Sequence, residues 1–426
     1  MSQALAEQYP PLSNHEALLE ANRCLYCYDA PCTHACPTHI DIPRFIRKIA
    51  TGNRAGSAAT ILSSNLLGAT CARVCPVQEL CEGACVLGAE HKPIAIGRLQ
   101  RHAMDHAWQG GLNGLLKPGE PTGKRVAVIG AGPAGLSCAG ELARCGHQVT
   151  IFEQQELAGG LSTYGIIVLR EPVEVALEEV EMIRRLGVRI ETGVQVGRDI
   201  PAAELRSQFD AVFVGVGLGA TPSLGIPGEE HVLDGLDYIS RSKLDPASLQ
   251  PGRDVLVIGA GNTAIDCATV AKRLGSDRVS MIYRRTQREM TAYEHEYNFV
   301  RTEGVSFVFL AQPVRVIVEN GQVTGLECLR TRLSPHPEPV EGSEFVLPAD
   351  LIIKAIGQNR PSLASHLGLA TERGLIRVGD RMETSVPGIF AGGDCIRVKG
   401  AASTVMAVQD GKLAAAAIHD KVMANG

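Results

Sequence analysis

Eight cysteines within the first 85 residues constrain this chain more than any other feature. They form two quartets, Cys24-x2-Cys27-x4-Cys32-x3-Cys36-Pro37 and Cys71-x3-Cys75-Pro76-x4-Cys81-x3-Cys85. Cuboidal iron–sulfur clusters take mainly cysteine thiolates, and about eight ligands serve two of them. In bacterial two-cluster ferredoxins the cysteine before proline serves the other cluster, and the same crossing of ligands is expected here. Zinc is the competing reading. It favours separated C-x2-C pairs, and only Cys24 and Cys27 have that spacing. The other five cysteines (138, 145, 267, 328 and 395) are scattered and form no C-x-x-C redox pair, which disfavours a dithiol mechanism.

The compartment bears on the same choice. The first residues lack a basic region ahead of an apolar run, and no apolar stretch is long enough to span a bilayer. The expectation is a cytoplasmic chain, where disulfides are rare and clustered cysteines bind metal or do redox work. A net charge of −5 leaves no electrostatic footprint for nucleic acid. With 45% apolar and 20% charged residues the chain can build ordinary cores.

Between the quartets, residues 42–65 read as short helices, with Phe45, Ile46 and Ile49 on one stripe and Ala58, Ile61 and Leu62 on another. Residues 105–123 then turn rich in Gly and Pro and read as a linker.

Beyond the linker, the β-rich run Arg125–Ile129 leads into Gly130-Ala131-Gly132-Pro133-Ala134-Gly135 and a helix. A second strand follows and ends at Glu153. Strand, loop, helix, strand and acid together make a dinucleotide fingerprint. The glycines give a tight turn, close approach to a pyrophosphate and close helix packing, while the acid holds a ribose. The helix N-terminus offers free N–H groups to phosphate. The pattern recurs at Asp254–Ile258 with Gly259-Ala260-Gly261-Asn262-Thr263-Ala264. Its second strand ends in Arg284-Arg285, with Arg288 nearby, rather than in an acid. Arginine accommodates a 2′-phosphate that an acid would repel, so NADPH is favoured over NADH at this loop.

Two different dinucleotides in one chain point to FAD and a nicotinamide. Residues 210–219 and 350–357, the latter ending in Ala355, Ile356 and Gly357, read as crossings between two interleaved domains. Gly388–Asp394 reads as a strand, a turn at Gly393 and an acid, Asp394, suited to the flavin ribityl hydroxyls. A helix over 403–421 follows. Residues 331–345 are polar and Pro-rich and read as an exposed loop.

The expected fold class is therefore α/β, with two interleaved Rossmann-like dinucleotide-binding domains preceded by a small helical domain holding two 4Fe–4S clusters. Its boundaries are 1–110 for the helical Fe–S domain, 111–222 and 358–426 for the two parts of the FAD domain, and 223–357 for the NAD(P)H domain.

These pieces together resemble iron–sulfur flavoproteins of the glutamate-synthase small-subunit type over nearly the whole chain. Four stretches resemble the dihydropyrimidine dehydrogenase branch: Ala21–Cys32, Pro37–Pro43, Ile96–Gln100 and Phe152–Thr163. The resemblance implies a ligand set. One 4Fe–4S cluster would take Cys24, Cys27, Cys32 and Cys85; the other would take Cys36, Cys75, Cys81 and the side chain of Gln100. Cys71 would be spare, although spacing alone selects Cys71 and ignores Gln100. The resemblance also points Val74, Gly160, Leu161, Arg170, Val196 and Thr404 at FAD. One departure is visible. The residues before Arg170, Ile166–Leu169, lack the proline and aromatic that the family carries there.

The resemblance further implies an NAD(P)H-dependent oxidoreductase in which the cofactors carry the chemistry and no side chain acts as acid or base in the hydride step. No segment here reads as a barrel for pyrimidine reduction. A partner subunit bearing FMN and further Fe–S clusters, in a hetero-oligomer such as a heterotetramer, is expected to interconvert uracil or thymine with the 5,6-dihydro compound. The alternatives are a glutamate synthase small subunit, a stand-alone NAD(P)H–ferredoxin or quinone reductase, and a zinc-stabilised interaction module without activity.

Overall fold

In the computed structural model, residues 5–110, 114–334, 336–397 and 402–424 are described. Of the linker expected over 105–123, residues 111–113 lie outside that set. The chain divides into two compact units. One comprises Tyr9–Thr163, Val173–Leu218 and Arg360–Gly426; the other comprises Met1–Gln8, Tyr164–Pro172 and Gly219–Asn359.

The first unit begins with the cysteine-bearing helices. Ile42–Ala50 buries Ile42, Phe45, Ile46 and Ile49 on one face. Its start is fixed by Asp41, whose carboxylate accepts the Arg44 N–H at 3.1 Å, and by Pro43 in the first turn. Arg54–Leu62 follows, capped by Asn53 at the Gly56 N–H. Ile96–Gln109 completes the bundle and buries Ile96, Leu99, Gln100, Ala103 and Met104.

These helices share one hydrophobic core with a five-stranded parallel sheet in the same unit. The strand order is Ile389–Ala391, Ala211–Val214, Arg125–Ile129, Gln148–Glu153, Arg189–Thr192. Arg125–Ile129 is central, with Val128 in register with Ile151 on one side and Phe213 on the other. The last four of its five residues are buried, as expected for a strand covered on both faces. The long helix Thr404–Ala424 packs on Pro133–Arg144, and Ser137 Oγ donates to the Val408 carbonyl at 2.8 Å.

The second unit holds a second five-stranded parallel sheet, ordered Leu233–Asp234, Leu351–Lys354, Asp254–Ile258, Arg278–Tyr283, Ser306–Phe309. It also holds an antiparallel ladder of Ala311–Glu319, Gln322–Ser334, His336–Pro339 and Phe345–Pro348. The loop expected over 331–345 is corrected here. Thr331, Arg332 and Leu333 pair antiparallel with Pro339, Glu338 and Pro337, so much of this polar stretch is an edge strand. Edge strands tolerate proline because one row of N–H groups needs no partner.

The two compact units divide the chain differently from the expected domains at two places. Residues 164–172, expected in the FAD part, belong to the second unit. There Ile167 and Leu169 enter a core with Tyr238, Ile239 and Ile265, and the Gln8 N–H donates to the Leu169 carbonyl at 2.7 Å. The helical Fe–S segment, expected as a domain of its own, is part of the first unit. No helix among the described residues is long and apolar enough to cross a membrane.

Candidate functional site

The eight cysteines line two cavities. Cys24, Cys27, Cys32 and Cys85 line the first, with Leu25, Ile42, Ile46, Val86 and Ile96 among their neighbours. Cys36, Cys75, Cys81, Cys71 and Gln100 line the second, with Asn65, Leu80 and Val405. Cys36 therefore sits with the later quartet although it belongs to the earlier one. The return crossing is made by Cys85 and not by Cys75, although Cys75 also precedes a proline.

Among the described residues, no three His, Cys, Asp or Glu side chains converge on a single metal ion. The cysteines instead surround a void. That arrangement suits a polynuclear cluster, in which each thiolate meets a different iron. The chemistry of the donors fits as well. Burial and the neighbouring thiols of Cys85 and Cys24 push the Cys32 thiol up to about 11. Burial also raises Cys24 and Cys81, and a hydrogen bond with Cys71 raises Cys75. Such thiols stay protonated until a metal displaces the proton.

Local contacts hold the second cavity together. Gln100, 7% exposed, donates from Nε2 to the Gly68 carbonyl at 2.7 Å. Glu82, next to Cys81, accepts the Gly97 N–H at 3.0 Å and so caps the helix that carries Gln100. The Lys412 ammonium donates to the carbonyls of Ser64 at 3.0 Å and Thr38 at 3.3 Å, and Thr38 Oγ1 lies 3.4 Å from Cys36 Sγ. Sequence reading missed Glu82, Lys412 and Thr38; nothing in their spacing marks them.

The flavin-type positions belong to the same unit. Gly132 precedes the helix Pro133–Arg144. A Cβ on Gly135 would lie 1.9 Å from the Gly130 carbonyl oxygen, so no larger residue fits this turn. Glu153 accepts the N–H groups of Ala131 and Gln155, both at 2.8 Å. The acid thus braces the loop from below. Ala134 is buried beside it, and a Cβ on Gly160 would meet Gly132 Cα at 2.7 Å.

The other flavin-side positions are dispersed along the chain. Asp394 makes no side-chain hydrogen bond or ion pair among the described residues, and burial raises its carboxyl. The adjoining Gly393 N–H donates to Asp410 at 3.0 Å, and Arg397 pairs with the same carboxylate; sequence reading missed both residues. Thr404 opens the last helix, directly before Val405 of the second cysteine cavity. Val74 ends a helix directly before Cys75. Leu161 is 40% exposed. Val196 is buried in the core beside Leu205 and Val212, so its side chain packs against protein.

Arg170 folds with the second unit, where its guanidinium lies 2.9 Å from Asp266 and 2.6 Å from Glu296. Two buried carboxylates therefore pair with this cation in that unit.

In the second unit, Gly259 and Gly261 lie between the strand Asp254–Ile258 and the helix Asn262–Arg273. A Cβ on Gly259 would lie 2.2 Å from the Ala355 carbonyl oxygen. The loop is clasped from outside, since the Ala292 N–H donates to the Ala260 carbonyl at 3.3 Å and the Tyr293 N–H to Asn262 Oδ1 at 3.1 Å. Thr263 and Ala264 open the helix, and Ala355, Ile356 and Gly357 follow the strand Leu351–Lys354. Arg284 and Arg285 follow Arg278–Tyr283. Their guanidinium groups, and that of exposed Arg288, form no hydrogen bond or ion pair among the described residues. Arg285 also acts electrostatically on Glu289, while Arg284 and Arg288 are exposed.

Comparison with known proteins agrees with both halves. Residues 1–112 match the family described as dihydropyrimidine dehydrogenase domain II, 4Fe-4S cluster. Residues 124–411 match pyridine nucleotide-disulphide oxidoreductase. The chain belongs to the pyridine nucleotide-disulphide oxidoreductase family. It is an NAD(P)H-dependent electron-transfer oxidoreductase, with FAD, NAD(P)H and 4Fe–4S clusters as its cofactors.

Among relatives of this oxidoreductase, the NAD-dependent dihydropyrimidine dehydrogenase subunit PreT of Escherichia coli is 37% identical, over 97% of this chain and 96% of its own. The glutamate synthase [NADPH] small chain of E. coli is 35% identical, over 96% and 92%. The NADP(+)-dependent formate dehydrogenase subunit beta of Moorella thermoacetica is 38% identical over 91% of this chain, which spans 59% of that protein. Thioredoxin reductase of T. acidophilum shares the fold, with a TM-score of 0.57 at 23% identity over 70% of this chain and 99% of its own.

Proposed function

We propose that this chain is the electron-input subunit of a dihydropyrimidine dehydrogenase. It would serve a partner subunit, carrying FMN and further Fe–S clusters, that interconverts uracil or thymine and the 5,6-dihydropyrimidine. Bound FAD would accept hydride from the nicotinamide, and two 4Fe–4S clusters would relay single electrons. Cys24, Cys27, Cys32 and Cys85 would hold one cluster; Cys36, Cys75, Cys81 and Gln100 would hold the other. Gly130, Ala131, Gly132 and Gly135 would cradle the FAD pyrophosphate, and Asp394 would accept ribityl hydroxyls. Gly259–Thr263 would hold the nicotinamide dinucleotide, with Arg284 and Arg285 toward a 2′-phosphate.

One observation carries this reading above the others. A buried glutamine, Gln100, lines a cavity with four cysteines, Cys36, Cys71, Cys75 and Cys81, and it does so in a chain 37% identical to a dihydropyrimidine dehydrogenase subunit. The glutamate synthase small chain is the second reading, supported by a relative of nearly equal identity.

Anaerobic affinity capture from the native extract decides between them. A co-eluting flavoprotein with uracil-dependent NAD(P)H oxidation supports the proposal. Glutamine-dependent turnover in the eluate would overturn it in favour of the second reading.

A further inference from the structure

The two cysteine cavities differ in what surrounds the sulfurs. The first is lined only by cysteines, prolines and aliphatic side chains. The second contains two side-chain amides, Gln100 and Asn65. Asn65 is 1% exposed. Its Oδ1 accepts the Leu67 N–H at 2.9 Å, which settles which end of the amide is oxygen. Its other end, Nδ2, is buried and has no hydrogen-bond partner among the described residues.

Native proteins rarely leave such a donor unpaired, because the lost hydration is not repaid. Cys36, Cys75 and Cys81 line the same cavity, and they become acceptors once they are thiolates on iron. Resting on the cluster reading above, we propose that Asn65 is a potential-setting residue of the second cluster, donating its Nδ2 hydrogen to a sulfur there. An N–H aimed at sulfur stabilises the reduced, more negative cluster and raises its potential. Nearby groups add to this. The Lys412 ammonium is pinned to the carbonyl of Ser64, next in sequence to Asn65, and Thr38 Oγ1 faces Cys36 Sγ. The first cavity has no such side chain in its lining. The second cluster is thereby placed at the higher potential, and the asymmetry is set by protein dipoles as well as by ligands.

The test is an anaerobic, EPR-monitored redox titration of the full-length holoprotein. It compares wild type with Asn65→Asp at alkaline pH and with Asn65→Ala. Asn65→Asp keeps the acceptor for the Leu67 N–H and removes the donor but adds a charge, whereas Asn65→Ala removes the donor without one, so a downward shift shared by both reports the lost N–H donor. In both variants the second cluster is expected to show about a tenfold lower reduced-to-oxidised ratio at fixed ambient potential. That is a downward shift of about 59 mV for one electron. The first cluster should titrate as in wild type.

Unchanged potentials in Asn65→Asp or in Asn65→Ala, or equal shifts in both clusters, would overturn the proposal. Iron analysis of the wild type serves as a separate control. A protein that binds no second cluster would overturn the cluster reading itself, and this inference with it.

Discussion

Gln100 donates from Nε2 to the Gly68 carbonyl at 2.7 Å, leaving its amide oxygen as the end available to the cavity it shares with Cys36, Cys75 and Cys81. That is the geometry an oxygen ligand needs, since a metal takes the carbonyl end of an amide. Cys71, in the same cavity, is hydrogen-bonded to Cys75 instead. Gln100→Ala is expected to lower bound iron from about eight to about four atoms per chain, with loss of one EPR signal. Cys71→Ser should retain both clusters. Full iron in Gln100→Ala combined with loss in Cys71→Ser would reverse the assignment.

The guanidinium groups of Arg284 and Arg285, after Tyr283, predict cofactor preference. Arg–phosphate contacts are charge-assisted and directional. The double variant Arg284→Ala, Arg285→Ala should weaken NADPH binding at least about tenfold, roughly 1.4 kcal/mol, and leave NADH within about twofold. Stopped-flow flavin reduction with each nucleotide reads both affinities. Equal losses would show that the pair lies away from the 2′-phosphate.

The Arg170 ion pairs predict stability and its pH dependence. Asp266 and Glu296 are each 8% exposed at the side chain, so removing their cation leaves two buried carboxyl groups without a counter-charge. Arg170→Met should cost about 3–5 kcal/mol, seen as a lower Tm of the second unit. Burial pushes Asp266 up to about 7, with Arg170 opposing and Glu296 adding, whereas an unfolded Asp titrates near about 3.9. A raised folded pKa means the folded state binds the extra proton. The stability it contributes is full below about 3.9 and lost as pH rises through about 7. Relative to Asp266→Asn, the wild-type Tm should therefore fall across that interval. A constant Tm difference would contradict this.

Much of this was readable before the structure, and the residues explain why. Gly130–Gly135 and Gly259–Ala264 each sit between a strand and a helix, so their local context is complete in sequence. The pairing of Cys36 with the later quartet and of Cys85 with the earlier one depends on long-range folding, which a proline rule alone misassigns at Cys75. The ion pairs of Arg170 went unread because Asp266 and Glu296 lie about 100 positions away, a separation no local pattern reports. The hairpin after Glu319 did have a signal. Asn320, at φ 52°, and Gly321 join two strands, and Asn-Gly is a strong short-range hairpin cue. It went unread because proline and charge dominated the stretch that follows. Asn65 and Lys412 carry no motif, and only burial and distance show them; Thr38 lies in the Pro37–Pro43 stretch, but only its distance to Cys36 gives it a role.

Glu153 gives a last prediction, because it separates a brace from a ligand. The carboxylate, in a residue 7% exposed, accepts the Ala131 and Gln155 N–H groups at 2.8 Å each. The Ala131 N–H lies in the loop expected to meet the FAD pyrophosphate. Glu153→Ala would leave two donors without their acceptor, at about 1–3 kcal/mol each when buried. Glu153→Gln keeps one acceptor oxygen, so its cost should be about half. If the brace sets the loop, flavin retention should follow the same order, with wild type above Gln and Gln above Ala. The flavin-to-protein ratio after gel filtration, read beside Tm, tests this directly. If the carboxylate acts only as a ribose ligand, Gln would lose flavin as fully as Ala while Tm stayed at the wild-type value.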